Sequence, residues 1–267
     1  MSHALLLIDC QNDFIDDPIK AGSLAVPGSY GDMQRLAAFI SRQGDKLAAI
    51  YASMDMHSPY SIFFPSFWLD KDNNQPNPFT VITLNNLTTG QFKPADPKLN
   101  TWVQYYLTKL QEVGRPLILW PPHCLAGAAG SNIHPLLKAA IDEWAINRQQ
   151  EINSIFKGQN ILSEFYSIFK AEVAINTDSS TLVNQPLLDK LCRYDKVYIA
   201  GEALSHCVRA TIEDIIAYAP PEKLPHFTLI SNCSSPVAGF EDESLNFIKK
   251  LAGYGLNCLD SSQISLS

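Results

Sequence analysis

Basic charge is scarce in this sequence: 20 Lys and Arg stand against 27 Asp and Glu in 267 residues, a formal net charge of −7. That balance offers no positive field to gather the phosphates of a nucleic acid or an anionic lipid surface, so we expect neither as a partner. Long apolar runs are also missing. No stretch approaches the roughly 18 uncharged apolar residues that span a bilayer, and the opening Met1-Ser2-His3 lacks a basic region and reaches Asp9 too soon for a secretory signal. Cysteine pairs are absent too: none of the six cysteines belongs to a CxxC pair, which fits neither a thiolate zinc site nor a small disulfide-stapled domain. Together these absences predict a cytoplasmic protein with reduced thiols.

What is present is an alternation of short β-prone runs with longer segments of helical spacing, the α/β pattern. The run Ala4 to Ile8 is apolar on both faces, as a central parallel strand is when helices cover a sheet from both sides. The spacing therefore predicts a three-layer α-β-α sandwich around a central, mostly parallel, Rossmann-like sheet. Further strands are expected at Lys46–Ser53, Glu151–Phe156 as a third core strand, Lys196–Ala200, Phe227–Ser231 and Gly255–Leu259, with helices between them. No break in composition divides the series, so residues 1–267 are expected to form a single domain.

One segment departs from the alternation. From Pro59 to Asn100 six prolines with many Asn and Asp residues destroy the periodicity, and a helix is expected over Leu99–Val113. The segment holds Phe63, Phe64, Phe67, Trp68, Phe79 and Phe92, too many large rings to remain in water. We therefore expect an ordered insertion over about 59–113, packed either on the cleft as a lid or outward as the interface of a homo-oligomer.

In open parallel sheets ligands bind beyond the carboxyl ends of the strands. Asp9, Asp55, His57, Lys157 and Cys207 fall at such ends. Cys207, after the Gly201 turn, is expected in the first turn of a helix, where unpaired amides favour thiolate over thiol. A thiol attacking a carbonyl needs a base and charge stabilisation, which Asp9 and Lys157 are suited to provide. Asp55-x-His57 in extended chain points two donors the same way, and His123 adds a second imidazole. That donor set suits zinc, iron(II) or manganese, and spacing alone does not choose among them. Singly, each residue has a structural reading: a buried thiol, a turn-capping carboxylate, a solvated cation, a hydrogen-bonded Asp-His pair.

The order of motifs Leu7-Ile8-Asp9-Cys10-Gln11-Asn12-Asp13-Phe14, Asp55-Met56-His57, Trp120-Pro121-Pro122-His123-Cys124, Lys157-Gly158 and Gly201-Glu202-Ala203-Leu204-Ser205-His206-Cys207-Val208 resembles the isochorismatase-like cysteine hydrolases, and among them the nicotinamidases. The resemblance implies an Asp9–Lys157–Cys207 triad hydrolysing a small amide through a thioester. It also implies an oxyanion hole of the Ala203 and Cys207 N–H groups and a cis peptide between Glu202 and Ala203. A divalent metal, zinc first, would lie on Asp55, His57 and His123, with Phe14, Trp120, Tyr166 and His206 around the substrate. Two departures stand out: Glu202 occupies a usually aliphatic position, and the stretch between His57 and His123 is long for a nicotinamidase. An isochorismatase, which needs neither this metal nor the nucleophile, and a non-catalytic assembly module using the aromatic insertion are the competing readings.

Overall fold

A computed structural model describes residues 1–267. In chain order the elements are β1 (His3–Ile8), α1 (Ser29–Gln43), β2 (Leu47–Asp55), β3 (Trp68–Asp70), β4 (Val81–Ile82), α2 (Leu84–Thr88), β5 (Phe92–Pro94), α3 (Asn100–Glu112) and β6 (Leu117–Ile118). There follow α4 (Pro135–Arg148), β7 (Asn153–Lys157), α5 (Gln185–Leu191), β8 (Lys196–Gly201), α6 (Arg209–Tyr218), β9 (Phe227–Ile230), α7 (Glu241–Leu251) and β10 (Asn257–Leu259). Six strands pair in the order β10-β9-β8-β1-β2-β7, and every pairing is parallel. No helix is long and apolar enough to cross a membrane.

Alternation along β1 explains the layers. Ala4, Leu6 and Ile8 point into a core shared with Leu188 and Leu191 of α5, Ile212 and Ile215 of α6, and Phe247 of α7. Leu5 and Leu7 point the other way, onto Met33, Leu36, Phe39 and Ile40 of α1 and Leu137, Ile141 and Trp144 of α4. A strand buried on both faces has no polar side to spare, so after the apolar run Ala4–Ile8 the next polar residue, Asp9, falls where the strand ends. The expected three layers are therefore present, with a wholly parallel central sheet.

β7 is not the core strand expected at Glu151–Phe156. It is an edge with a single neighbour, and Phe156 is 54% exposed. Only its last residue, Lys157, turns into the buried end of the sheet.

The chain after Pro59 is not a structureless loop. It forms two small antiparallel pairs, β3 with β5 and β4 with β6, braced by α2 and α3. Its rings fill a third core: Phe63, Phe64, Phe67 and Trp68 are fully buried beside Val103, Tyr106, Leu107 and Leu110 of α3. The Trp68 indole N–H donates to the Ile62 carbonyl at 2.6 Å. Because β4 pairs with β6 and Leu117, Leu119 and Trp120 join the same core, this unit continues past residue 113. Not every ring is buried. Phe79 stays 59% exposed, since its left-handed backbone (φ 66°) turns it outward against the edge of Trp120.

Trp68→Ala would leave a large void in this small core and an orphaned Ile62 carbonyl. We expect a loss of about 3–5 kcal/mol in urea unfolding, together with faster proteolysis inside residues 59–119 than elsewhere. Unchanged cleavage in that segment would show that the third core does not depend on Trp68.

Candidate active site

Three parallel strand ends and one turn converge on a single ammonium. Asp9 follows β1, Asp55 ends β2 and Lys157 ends β7, in neighbouring or next-neighbouring positions across the sheet. Lys157 Nζ lies 2.8 Å from Asp9 Oδ2 and 2.7 Å from Asp55 Oδ1, donates to the Phe165 carbonyl at 2.8 Å, and sits 3.7 Å from Cys207 Sγ. All four side chains are buried. Asp9 has a left-handed backbone (φ 48°), and its other oxygen accepts from Ser53 Oγ at 2.6 Å.

Cys207 arrives by a different route. Gly201 ends β8 with φ 121°, and a Cβ there would lie 2.0 Å from the Ile8 carbonyl oxygen, so only glycine permits the turn beside β1. After the cis peptide between Glu202 and Ala203, a π-turn over Leu204–Val208 carries Cys207, and α6 begins at Arg209. The Ala203 carbonyl accepts from the His206 and Val208 N–H groups, while the Ala203 N–H has no acceptor within the chain.

The protonation pattern differs from the expected thiolate. Burial pushes the Cys207 thiol well up, the Lys157 ammonium opposes this, and Asp9 and Asp55 add to the rise. Proximity to a helix start is outweighed by desolvation and two carboxylates, so the resting sulfur keeps its proton. Burial also raises Asp9, with Lys157 pulling the other way. Asp55, subject to the same burial, is instead held far below the usual carboxylate range because Lys157 and His57 both face it.

The second cluster adjoins the first. One donor atom from each of Asp55, His57 and His123 lies within 4.8 Å of the others, and all three residues are buried. The other ring nitrogens are engaged behind them: His57 Nδ1 contacts the Gly158 carbonyl at 3.0 Å and His123 Nδ1 the Pro121 carbonyl at 2.9 Å. These contacts fix both rings with Nε2 turned inward, the arrangement of metal-binding imidazoles. His57 Nε2 is buried with no hydrogen-bond partner, which the donor set explains if a cation belongs there. Burial and the neighbouring His57 hold His123 down to about 3, so it is a neutral imidazole rather than a cation. Gly158 (φ 73°) makes room, since a Cβ there would meet His57 Cε1 at 2.4 Å and Asp55 Oδ1 at 2.9 Å.

Phe14, Trp120, Tyr166, His206 and Ala203 line a cleft together with Asp55, His123 and Cys207. Trp120 donates to the Tyr166 hydroxyl at 3.1 Å, and His206 stacks edgewise on Trp120 with ring centroids 5.3 Å apart. Phe14 meets His123 at 5.3 Å. Phe63 and Phe64 of the inserted unit close the wall behind the imidazoles, with ring centroids 4.7 and 5.7 Å from His57. Tyr166 and His206 also line an adjoining groove of about 670 Å³.

Sequence reasoning brought all these residues together but missed one. Glu164, 4% exposed, lines the same cleft, and burial raises its carboxyl to about 7 despite the opposing field of His57. Its position seven residues beyond Lys157, in a stretch without secondary structure, gave no periodic signal. His134, read as structural, is so: its Nε2 meets Asp17 Oδ2 at 3.0 Å, away from the cleft.

No family model matches the chain. Among curated proteins it is 27% identical to the nicotinamidase of Escherichia coli over 217 residues, covering 80% of this chain and 76% of that one. It is 26% identical to the nicotinamidase of Saccharomyces cerevisiae over 257 residues, covering 96% and 98%. The solved yeast nicotinamidase superposes with a TM-score of 0.64 at 22% identity, covering 97% of this chain and 99% of that chain. The pyrazinamidase of Pyrococcus horikoshii, solved in complex with zinc, gives 0.56 at 18% identity over 97% and 99%. The curated relatives are similar in sequence and the solved structures similar in fold, and both support an isochorismatase-like family close to nicotinamidase.

Proposed function

We propose that the protein hydrolyses nicotinamide, or a small cyclic amide of the same shape, to the carboxylate and ammonia. The observation that carries this reading is the contact of one buried ammonium with both Asp9 and the Cys207 sulfur. Asp9 accepts the thiol proton as Cys207 Sγ attacks the amide carbon, and the proton passes on to the departing nitrogen. Water, deprotonated by Asp9, then cleaves the thioester and the thiol regains its proton. The Lys157 ammonium stabilises Asp9 and the transient thiolate throughout. The free Ala203 N–H and that of Cys207 would face the oxyanion. The cleft holds mostly aromatic and apolar residues, which suits a flat, uncharged ring.

Asp55, His57 and His123 fit one divalent ion, and Glu164 adds a carboxylate on the same cleft. Zinc suits two imidazoles with carboxylate oxygen best, with iron or manganese as chemically acceptable occupants. When bound, such an ion supplies a Lewis acid for a ring nitrogen of the substrate. Six free cysteines, five of them buried, suit a reducing cytoplasmic compartment.

Ammonia release from nicotinamide by the purified protein tests the reading directly. Cys207→Ala should lower kcat by about 10⁴-fold or more without shifting the urea midpoint appreciably. An electrophilic aldehyde analogue should give a mass adduct on Cys207 before any other cysteine, and turnover by the Ala variant at the wild-type rate would refute the covalent step. The metal assignment has a separate test in Gly158→Ala, whose methyl group would displace His57. Its affinity for added zinc, measured by titration of chelator-treated protein, should fall by about 10–100-fold, while unaltered binding would remove His57 from the metal shell.

A further inference from the structure

Glu202, the residue that breaks the aliphatic pattern of its motif, is completely buried, and so is Asp32 on α1. Both are tied to the same short segment after β9, Glu202 through the Ser235 N–H and Asp32 through Arg35, which donates to the Asn232 carbonyl, and the two carboxyl groups act directly on one another. Each has one oxygen accounted for: Glu202 Oε2 accepts from the Ser235 N–H at 3.3 Å, and Asp32 Oδ1 accepts from Arg35. Each has one oxygen, Glu202 Oε1 and Asp32 Oδ2, that is buried without a partner. Two orphaned acceptors on adjacent carboxyl groups are resolved together by a single proton, because like charges in a dry site do not both ionise.

The geometry points to a shared proton between Glu202 and Asp32, forming a carboxyl–carboxylate clamp that positions the Glu202–Ala203 peptide and with it the free Ala203 N–H. Glu202 is a positioning residue, since nothing brings its carboxyl to the reacting atoms. Its peptide is otherwise held by the Glu202 N–H donating to Ile8 at 2.8 Å and by the Leu204 N–H donating to Ser235 at 2.8 Å. The clamp adds a tie to the first turn of α1. Arg35 anchors the tie, since it also donates to the Asn232 carbonyl beyond β9. Burial, Asp32 and the more distant Asp16 all push the Glu202 carboxyl well above its ordinary range. The titratable and charged groups facing the pair are Asp16 and Cys10 from the β1–α1 connection, Arg35 from α1 and Cys233 from the segment after β9. Of these Arg35 alone is cationic, so rising pH removes the shared proton and leaves two carboxylates against one guanidinium. The loop is then pushed apart at its α1 side.

The kinetic consequence rests on the amidase reading above, but the proton itself does not. An infrared difference spectrum between wild type and Glu202→Gln at neutral pH should show the carbonyl stretch of a protonated carboxylic acid in the wild type only. In kinetics, Glu202→Ala should lose about tenfold in kcat with KM changed by less than about twofold. Glu202→Gln, whose amide still donates to Asp32 but cannot ionise, should restore kcat and abolish the alkaline loss of activity. A spectrum without the acid band, or a Gln variant as impaired as the Ala variant, overturns the clamp. If Glu202→Ala fails to fold, the Gln variant and the spectrum decide alone. If the wild type releases no ammonia from nicotinamide, the amidase reading falls and the infrared band still decides on the shared proton.

Discussion

The Lys157 ammonium is the constraint on which the site depends. A charge this deeply buried is tolerated only when paired and hydrogen-bonded, and Lys157 has two carboxylates and one carbonyl within 2.8 Å. Two of those partners stand at the ends of β1 and β2, and Lys157 itself ends β7, so the ammonium ties the three strand ends together. It also orders the chemistry. With Asp55 committed to Lys157 and His57, the proposed reaction leaves Asp9 as the carboxylate that exchanges a proton, and the Cys207 sulfur lies 3.7 Å from the ammonium.

Much of this was legible in the sequence because strand ends in a doubly covered sheet announce themselves. A run apolar on both faces that stops at a polar residue places Asp9 without coordinates, and Asp55 follows within two residues of the strand expected to end at Ser53. Lys157 was legible as a strand end, although β7 proved to be an edge strand with Phe156 turned to solvent. A five-residue run of mixed polarity does not say how many neighbours it has. The thiolate expectation failed because it weighed a local helix start and left out the desolvation and negative charge contributed by residues far away in sequence. Glu164 escaped for a related reason: it lies on irregular chain whose course is set by tertiary contacts, among them the Glu172 N–H donating to the Glu164 carbonyl at 2.8 Å.

The inserted unit shows how a proline-rich, aromatic segment can be ordered without joining the main sheet. Its own short ladders satisfy backbone groups, and its rings bury one another. The flank formed by Phe63 and Phe64 reaches the imidazoles of His57 and His123, where it walls them with apolar surface and lowers the local dielectric. Trp68, placed with them by sequence, works inside the unit instead. Adjacent residues thus divide between building a small core and walling a functional cleft.

The position of β1 in the sheet has a consequence for how the chain is made. β1 is synthesised first, yet it lies between β2 and β8, and His3 pairs with Lys196 in the finished register. Such a strand has high contact order: its second neighbour emerges only after most of the chain has left the ribosome. Until then a strand that is apolar on both faces has one unpaired edge, a template for pairing with another chain. That edge stays open until β8 is made, and the turn that carries Cys207, which follows β8 directly, is completed only by the event that closes this gap.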